Sequence, residues 1–338
     1  MSRQTPLTEV LSVALGCLSL SAVPVVAAPS ADAPAYAVSD DTWRDAARQR
    51  DIPIRLYLPT DGTKAAPAIL VSHGLGDSRQ AMAFACREWA TRGFIVVALQ
   101  HPGSDENVWR NAGPADAFTA VLRAASAEQF GERCKDVKFA LDELERRHAG
   151  AGRLAKRIDL DRLAIAGHSF GSLTAQAVIG QRYAPQPGLP ATFKDDRIKA
   201  AVLMSPGIEG VKDFDTAFAD VRVPVFHFTG TADAVAGLGV TTPSKRRVPF
   251  DRMIASDQYL VIFDRGDHIV FSGHRPHGVN EERYELIERA TAQLSADFFV
   301  AYLKDEPAAR AAITRDAVAL GNAAKFEEKS PTRALGGG

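Results

Sequence analysis

Short apolar runs alternate along this chain with longer stretches whose apolar positions recur every three to four residues. The runs "APAILVSHG" (66–74), "FIVVALQHPG" (94–103), "RLAIAGHS" (162–169), "KAAVLMSPG" (199–207), "PVFHFTGTAD" (224–233) and "QYLVIFDRGDH" (258–268) are bounded by glycine, proline or aspartate. Runs of this kind suit strands covered on both faces of a parallel sheet. Ahead of them "IPIRLYLP" (52–59) alternates apolar and polar residues, the pattern of a strand with one wet face. Helical periodicity fills the intervals "RQAMAFACREWATRG" (79–93), "ERCKDVKFALDELERRH" (132–148), "GSLTAQAVIGQ" (171–181) and "EERYELIERATAQLSADFFVAYLK" (281–304). Strands alternating with helices predict an α/β protein with a mostly parallel central sheet flanked by helices. Three irregular stretches, 103–130, 207–221 and 234–256, are long for plain connections and are expected to lie as insertions over the carboxyl edge of the sheet.

The two ends depart from this pattern. Arg3 precedes an apolar run from Val10 to Val26 that closes on small residues at Ala27 and Ala28, so residues 1–28 read as a secretory signal peptide. Pro24 and several serines argue against an uncleaved spanning anchor. A lipidated form at Cys17 is disfavoured by Ala14 and by the apolar run continuing past the cysteine. Residues 29–40, "PSADAPAYAVSD", read as a linker, 41–304 as the catalytic-sized domain, and 305–338 as a C-terminal extension without chemistry of its own. The mature chain is thus expected in a secreted or periplasmic compartment.

Composition narrows the function. With 46% hydrophobic and 24% charged residues the chain is an ordinary globular protein, and its net charge of −1 gives no basic field for nucleic acid. Removal of residues 1–28 takes away Arg3 and Glu9 and leaves that balance unchanged. Membrane contact is expected only through the leader or the substrate. The sequence leaves open whether Cys86 and Cys134 pair, and it does not fix the oligomeric state.

The chemistry concentrates at Gly167-His168-Ser169-Phe170-Gly171, a G-x-S-x-G sequence. Such a match arises by chance in about one chain of this length in ten. Here a strand-like run enters it and a helix-like run leaves it, which is the setting of a nucleophile elbow. A serine hydroxyl needs a general base, itself oriented by an acid, and those partners follow in the order acid, then histidine. Asp233 stands just past one strand-like run and His268 just past the next. Glu209 is the second candidate acid, and His274, farther along a Gly- and Pro-containing stretch, the second candidate base. His227 falls inside a strand pattern and reads as structural, and His168 fills the variable elbow position. Backbone N–H groups must meet the developing oxyanion; Phe170, directly after the serine, and Leu75, in the His73-Gly74-Leu75-Gly76 loop, are the expected donors. The stretch "HPGSDENVW" offers His101 and Trp109 as residues expected to bind substrate.

Together "DAARQRDIPIRLYLP", "VSHGLGDSR", "RGFIVVALQHPGSD", "GHSFGS" and "GDHIVFSG" resemble the α/β-hydrolases described as platelet-activating-factor acetylhydrolase-like or as predicted dienelactone hydrolases, over about residues 41–304. The resemblance implies an α/β-hydrolase fold and a serine esterase with Ser169, Asp233 and His268 as triad and Leu75 and Phe170 as oxyanion donors. Two departures stand out. Dienelactone hydrolases proper use a cysteine nucleophile where this chain has Ser169, and Ser172 replaces a further glycine found in many relatives.

The expected reaction is hydrolysis of a small or short-acyl carboxylic ester through an acyl-enzyme, which calls for no metal or organic cofactor. The alternatives are an acetylhydrolase or phospholipase acting on phospholipid or polyester, a peptidase or amidase, and a binding protein that has lost catalysis.

Overall fold

The computed structural model describes residues 35–61, 64–214, 216–235 and 242–331. Its strands are β1 (Tyr36–Asp45), β2 (Arg50–Pro59), β3 (Ala66–Ser72), β4 (Ile95–Leu99), β5 (Ile158–His168), β6 (Ile198–Met204), β7 (Val225–Ala232), β8 (Gln258–Asp267) and β9 (Ala324–Lys329). Its helices are α1 (Ala83–Thr91), α2 (Asn107–Arg110), α3 (Ala117–Ala124), α4 (Ala127–Ala149), α5 (Phe170–Val178), α6 (Val248–Arg252), α7 (Glu281–Leu303) and α8 (Pro307–Val318). The strands form one sheet in the order β1-β2-β4-β3-β5-β6-β7-β8-β9. From β4 to β8 every neighbour is parallel; β1, β2 and β9 join antiparallel at the edges.

Both sheet faces are covered, which is why the central runs are apolar throughout rather than alternating. On one face α1 and α7 pack over the sheet; Trp89 meets Phe299 edge-on at 5.3 Å and its Nε1 donates to Ser295 Oγ at 2.9 Å. On the other face α4 and α5 bury Val137, Leu141, Leu144 and Val178 against Ile165 and Leu203. Ser126 begins α4 as an N-cap, its side chain accepting from the Gln129 N–H, so the long helix starts where its apolar face can reach the sheet.

The strand order reverses at β3, which has β4 on one side and β5 on the other. Connections leaving two such neighbours at their carboxyl ends diverge to opposite faces and open a crevice. The loop after β3 and the turn after β5 therefore meet there, with Ser72 paired to Gly167 across the two strands.

Three expectations change. The linker over 29–40 gives way at Tyr36 to β1, whose Trp43 is buried. The C-terminal extension carries α8, which buries Ile313 and Ala317, and the edge strand β9, which pairs with β8 along its length. The irregular stretches hold short helices: α2 and α3 within 103–130, α6 within 234–256. Both missed strands are polar edges, where only one face needs apolar residues. The expected signal peptide lies outside the described residues, among which no helix is long and apolar enough to cross a membrane. Cys86 and Cys134 are free and buried in the cores on opposite sheet faces, so they cannot pair.

Candidate active site

Ser169 sits between the end of β5 and the start of α5 with φ 54° and ψ −117°, a conformation that a non-glycine residue adopts only under strain. The flanking glycines make that turn possible. A methyl group on Gly167 would run into the Gly171 carbonyl, and one on Gly171 into the Ser72 carbonyl of β3. The departure at Ser172 is accommodated, because its buried hydroxyl lies 2.7 Å from both the Gly167 and Met204 carbonyl oxygens.

The loops after β7 and β8 bring the other two residues to this serine. His268 Nε2 lies 2.9 Å from Ser169 Oγ, and His268 Nδ1 lies 2.8 Å from Asp233 Oδ1. Asp233 is fully buried, and its second oxygen accepts from Thr229 Oγ1 at 2.7 Å. With the carboxylate as acceptor, Nδ1 carries the proton and Nε2 is free to take one from the serine. Burial alone would raise the Asp233 carboxyl, but the hydrogen bond from His268 and the charge of Arg246 outweigh it and hold it below its ordinary value. Of the other candidates, His274 is exposed and donates to Asp77, and His227 is a buried strand residue bound to Gln258, as its position in a strand pattern predicts. The oxygen at His268 Nδ1 belongs to Asp233, whereas Glu209 lines an apolar cleft beside α5.

Two buried groups around this trio carry no signal in the sequence. Arg246, 3% exposed, places Nε 3.2 Å from Asp233 Oδ1 and Nη2 3.2 Å from His268 Nδ1, while Nη1 donates to the Ser205 carbonyl at 2.9 Å. The His168 ring lies tilted beside that of His268, 4.8 Å between centres, and its Nε2 donates to the His268 carbonyl at 2.9 Å. Burial, then His268, pushes His168 well below the usual histidine range, so it is neutral and shapes the loop that carries His268.

The loop after β3 crosses directly over the serine: a methyl on Gly74 would stand 3.6 Å from Ser169 Cβ. Its shape is set from beneath. His73 Nε2 accepts from the His101 N–H at 3.0 Å, which leaves Nδ1 to donate to the Gly74 carbonyl at 2.6 Å. Arg133, fully buried on α4, donates to the His73 carbonyl at 2.6 Å and to the Gly74 carbonyl at 3.1 Å. With the Gly74 oxygen held on that side, the planar trans peptide turns the Leu75 N–H the opposite way.

The expectation that His101 binds substrate is corrected here. Its side chain is wholly buried, with Nδ1 donating to Asp136 Oδ2 at 3.0 Å and Nε2 facing Ser72 Oγ at 2.9 Å. Burial lowers His101 to about 4, and Asp136 is brought down to about 2 against its own burial by His101 and Arg50. Ser72, His101 and Asp136 repeat the hydrogen-bond connectivity of a triad, but all three are sealed from solvent and serve as a brace under the loop. Trp109 is 39% exposed and donates from Nε1 to the Gly76 carbonyl at 2.7 Å, so it stands on the outer flank of the same loop. The signal that could have exposed the brace is spacing: Arg133, Asp136 and Ala140 share one face of α4, where two charges at i and i+3 line an otherwise apolar stripe.

A parallel sheet with its switch point at β3 and β5, an elbow at that point and histidine and aspartate on the loops of later strands define the α/β-hydrolase fold. Residues 50–110 match the family model of platelet-activating factor acetylhydrolase, isoform II. The matched stretch runs from β2 through α2 and holds the loop over the serine, while Ser169, Asp233 and His268 fall beyond it. The match supports assigning the chain to the platelet-activating-factor acetylhydrolase-like α/β-hydrolases, and with it a hydrolase activity of the acetylhydrolase or esterase kind.

Proposed function

We propose that the protein is a serine esterase that hydrolyses small or short-acyl carboxylic esters through an acyl-enzyme on Ser169. The observation that carries this reading is the unbroken path from Ser169 Oγ to His268 Nε2 at 2.9 Å and from His268 Nδ1 to Asp233 Oδ1 at 2.8 Å, at the tip of the elbow. Attack of Oγ on the ester carbonyl passes the serine proton to Nε2, and the carbonyl oxygen becomes an oxyanion facing the Leu75 and Phe170 amides. Collapse expels the alcohol, which leaves with the proton from Nε2. Water then gives a proton to the same nitrogen, attacks the acyl-enzyme, and releases the acid and free Ser169. Asp233 fixes the imidazole tautomer and stabilises the imidazolium formed twice in the cycle.

Support for a small acyl group comes from the cleft behind Phe170. Phe130, Phe170, Leu173 and Tyr183 line about 210 Å³, below the 300–1,000 Å³ usual for drug-sized ligands. The family description, which names an acetylhydrolase, points to the same class of ester. The test is an acyl-length series of p-nitrophenyl esters set beside matched anilides. A short-acyl optimum with Ser169→Ala inactive supports the reading, and an anilide preference or an active Ser169→Ala overturns it.

The expected leader would place the mature chain in a secreted or periplasmic compartment, with substrate that enters from outside the cell or its envelope. Cell fractionation with N-terminal sequencing tests this; an uncleaved cytoplasmic chain would overturn it.

A further inference from the structure

Arg133 is the least expected charge in the protein. It lies wholly inside, on α4, and among the described residues every acceptor it meets is neutral: Ser104 Oγ at 2.7 Å from Nε, the His73 carbonyl at 2.6 Å from Nη1, and the Gly74 and Ser104 carbonyls at 3.1 and 3.3 Å from Nη2. Its Nη1 also lies 3.5 Å from Ser72 Oγ, and its Nη2 3.3 Å from His73 Nδ1. Its guanidinium carbon stands 4.6 Å from the centre of the Phe170 ring. Burying a cation without a carboxylate in contact is expensive. Burial lowers it to about 9, and the carboxylates that pull back, Asp136, Asp105 and Asp77, act at a distance.

What the cation touches explains why it is there. The Gly74 carbonyl is the other end of the peptide whose N–H belongs to Leu75, and the Phe170 ring belongs to the residue whose N–H follows the nucleophile. One side chain thus grips both walls of the expected oxyanion hole from behind. The remaining positive charge lies beneath the place where a carbonyl oxygen turns negative, and fixed charges aimed at such a place act strongly where water is excluded. We propose that Arg133 is the positioning residue of the oxyanion hole, orienting the Leu75 amide through the Gly74 carbonyl and backing the developing oxyanion with its charge. This rests on the esterase reading above. Arg133 does not contact substrate; it acts through the loop.

A purely structural arginine and a positioning arginine differ in what their loss does to the folded enzyme. In Arg133→Lys, which keeps a charge but loses the fork, kcat on a p-nitrophenyl ester is expected to fall about 10²-fold with KM within about 3-fold. Affinity for a trifluoromethyl ketone, whose adduct with the serine carries an oxyanion, should fall by a similar factor, and near-UV circular dichroism should match the wild type. A folded Arg133→Lys with wild-type kcat and ketone affinity overturns the proposal, as does a loss confined to KM. Where Arg133→Lys does not fold, Ser104→Ala, which removes only the acceptor of Nε, decides: kcat about 5-fold lower with unchanged KM supports it, and unchanged kcat overturns it. Ser169→Ala separates the two levels, because an active Ser169→Ala strikes the esterase reading itself, whereas inactive Ser169→Ala with fully active Arg133 variants strikes this inference alone.

Discussion

Arg246 Nε lies 3.2 Å from Asp233 Oδ1, the same oxygen that stands 2.8 Å from His268 Nδ1. The carboxylate is therefore shared between a permanent cation and the imidazole of His268. Replacing Arg246 with Met leaves that buried carboxylate its hydrogen bonds but takes away its permanent cation, and should destabilise the fold by about 3 kcal/mol in urea titration.

The acid of the relay is decided by two substitutions. Asp233→Asn is expected to lower kcat on the order of 10⁴-fold by imposing the wrong imidazole tautomer, while Glu209→Gln, which keeps the His268–Asp233 hydrogen bond, should cost far less. A severe loss in Glu209→Gln alone would reverse the assignment.

Gly171→Ala tests the packing of the elbow. The added methyl meets the Ser72 carbonyl, backbone that β3 holds fixed by pairing with β4 and β5. Overpacking against backbone cannot be relieved by a rotamer change, so the variant should lose about 3 kcal/mol and most of its activity. Thermal melting and ester turnover measure the two effects.

His274 Nε2 lies 3.0 Å from Asp77 Oδ1, tying the loop after β8 to the loop after β3. Its hydrogen bond to Asp77 raises His274 above the usual histidine value. A base raised on folding contributes stability below its unfolded value, about 6.5, and loses it as pH rises through the folded one. The side chain is 62% exposed, so solvent screening limits the contribution to a few tenths of a kcal/mol. His274→Gln should melt about 1 °C lower than wild type at pH 5.5 and at the same temperature at pH 9.

Burial pushes the Cys86 thiol up to about 12 and raises that of Cys134 well above the usual thiol range, and neither is accessible. At these two positions native protein is expected to be inert to a thiol reagent such as DTNB, with both residues reacting at the rate of unfolding. Loss of both thiols in air-oxidised native protein, with an intramolecular bridge in its peptide map, would contradict the placement of the two cysteines on opposite faces.

Much of the site was legible because local sequence carries it. Gly167 and Gly171 are required by backbone that approaches within a few residues or one strand, and Asp233 and His268 each follow an apolar run whose end marks the carboxyl edge of the sheet. The G-x-S-x-G pattern, the order serine, aspartate, histidine and the six buried strands rest on periodicity and turn chemistry, which neighbouring residues express directly. Arg133 and Arg246 could not be read that way. Each is one of 40 Lys and Arg residues in the chain, and a charged side chain on a helix or in a long loop usually faces water. Their burial depends on carbonyls of His73, Gly74 and Ser205, groups every residue possesses and no pattern distinguishes. The same holds for His101: it follows a strand as a substrate residue would, and only the packing of α4 puts Asp136 against it. Periodicity thus reveals which side chains the sheet must bury and where its loops begin. Which charge ends beneath which loop follows from contacts between distant segments: 60 residues separate Arg133 from His73, 41 separate Arg246 from Ser205 and 35 separate His101 from Asp136.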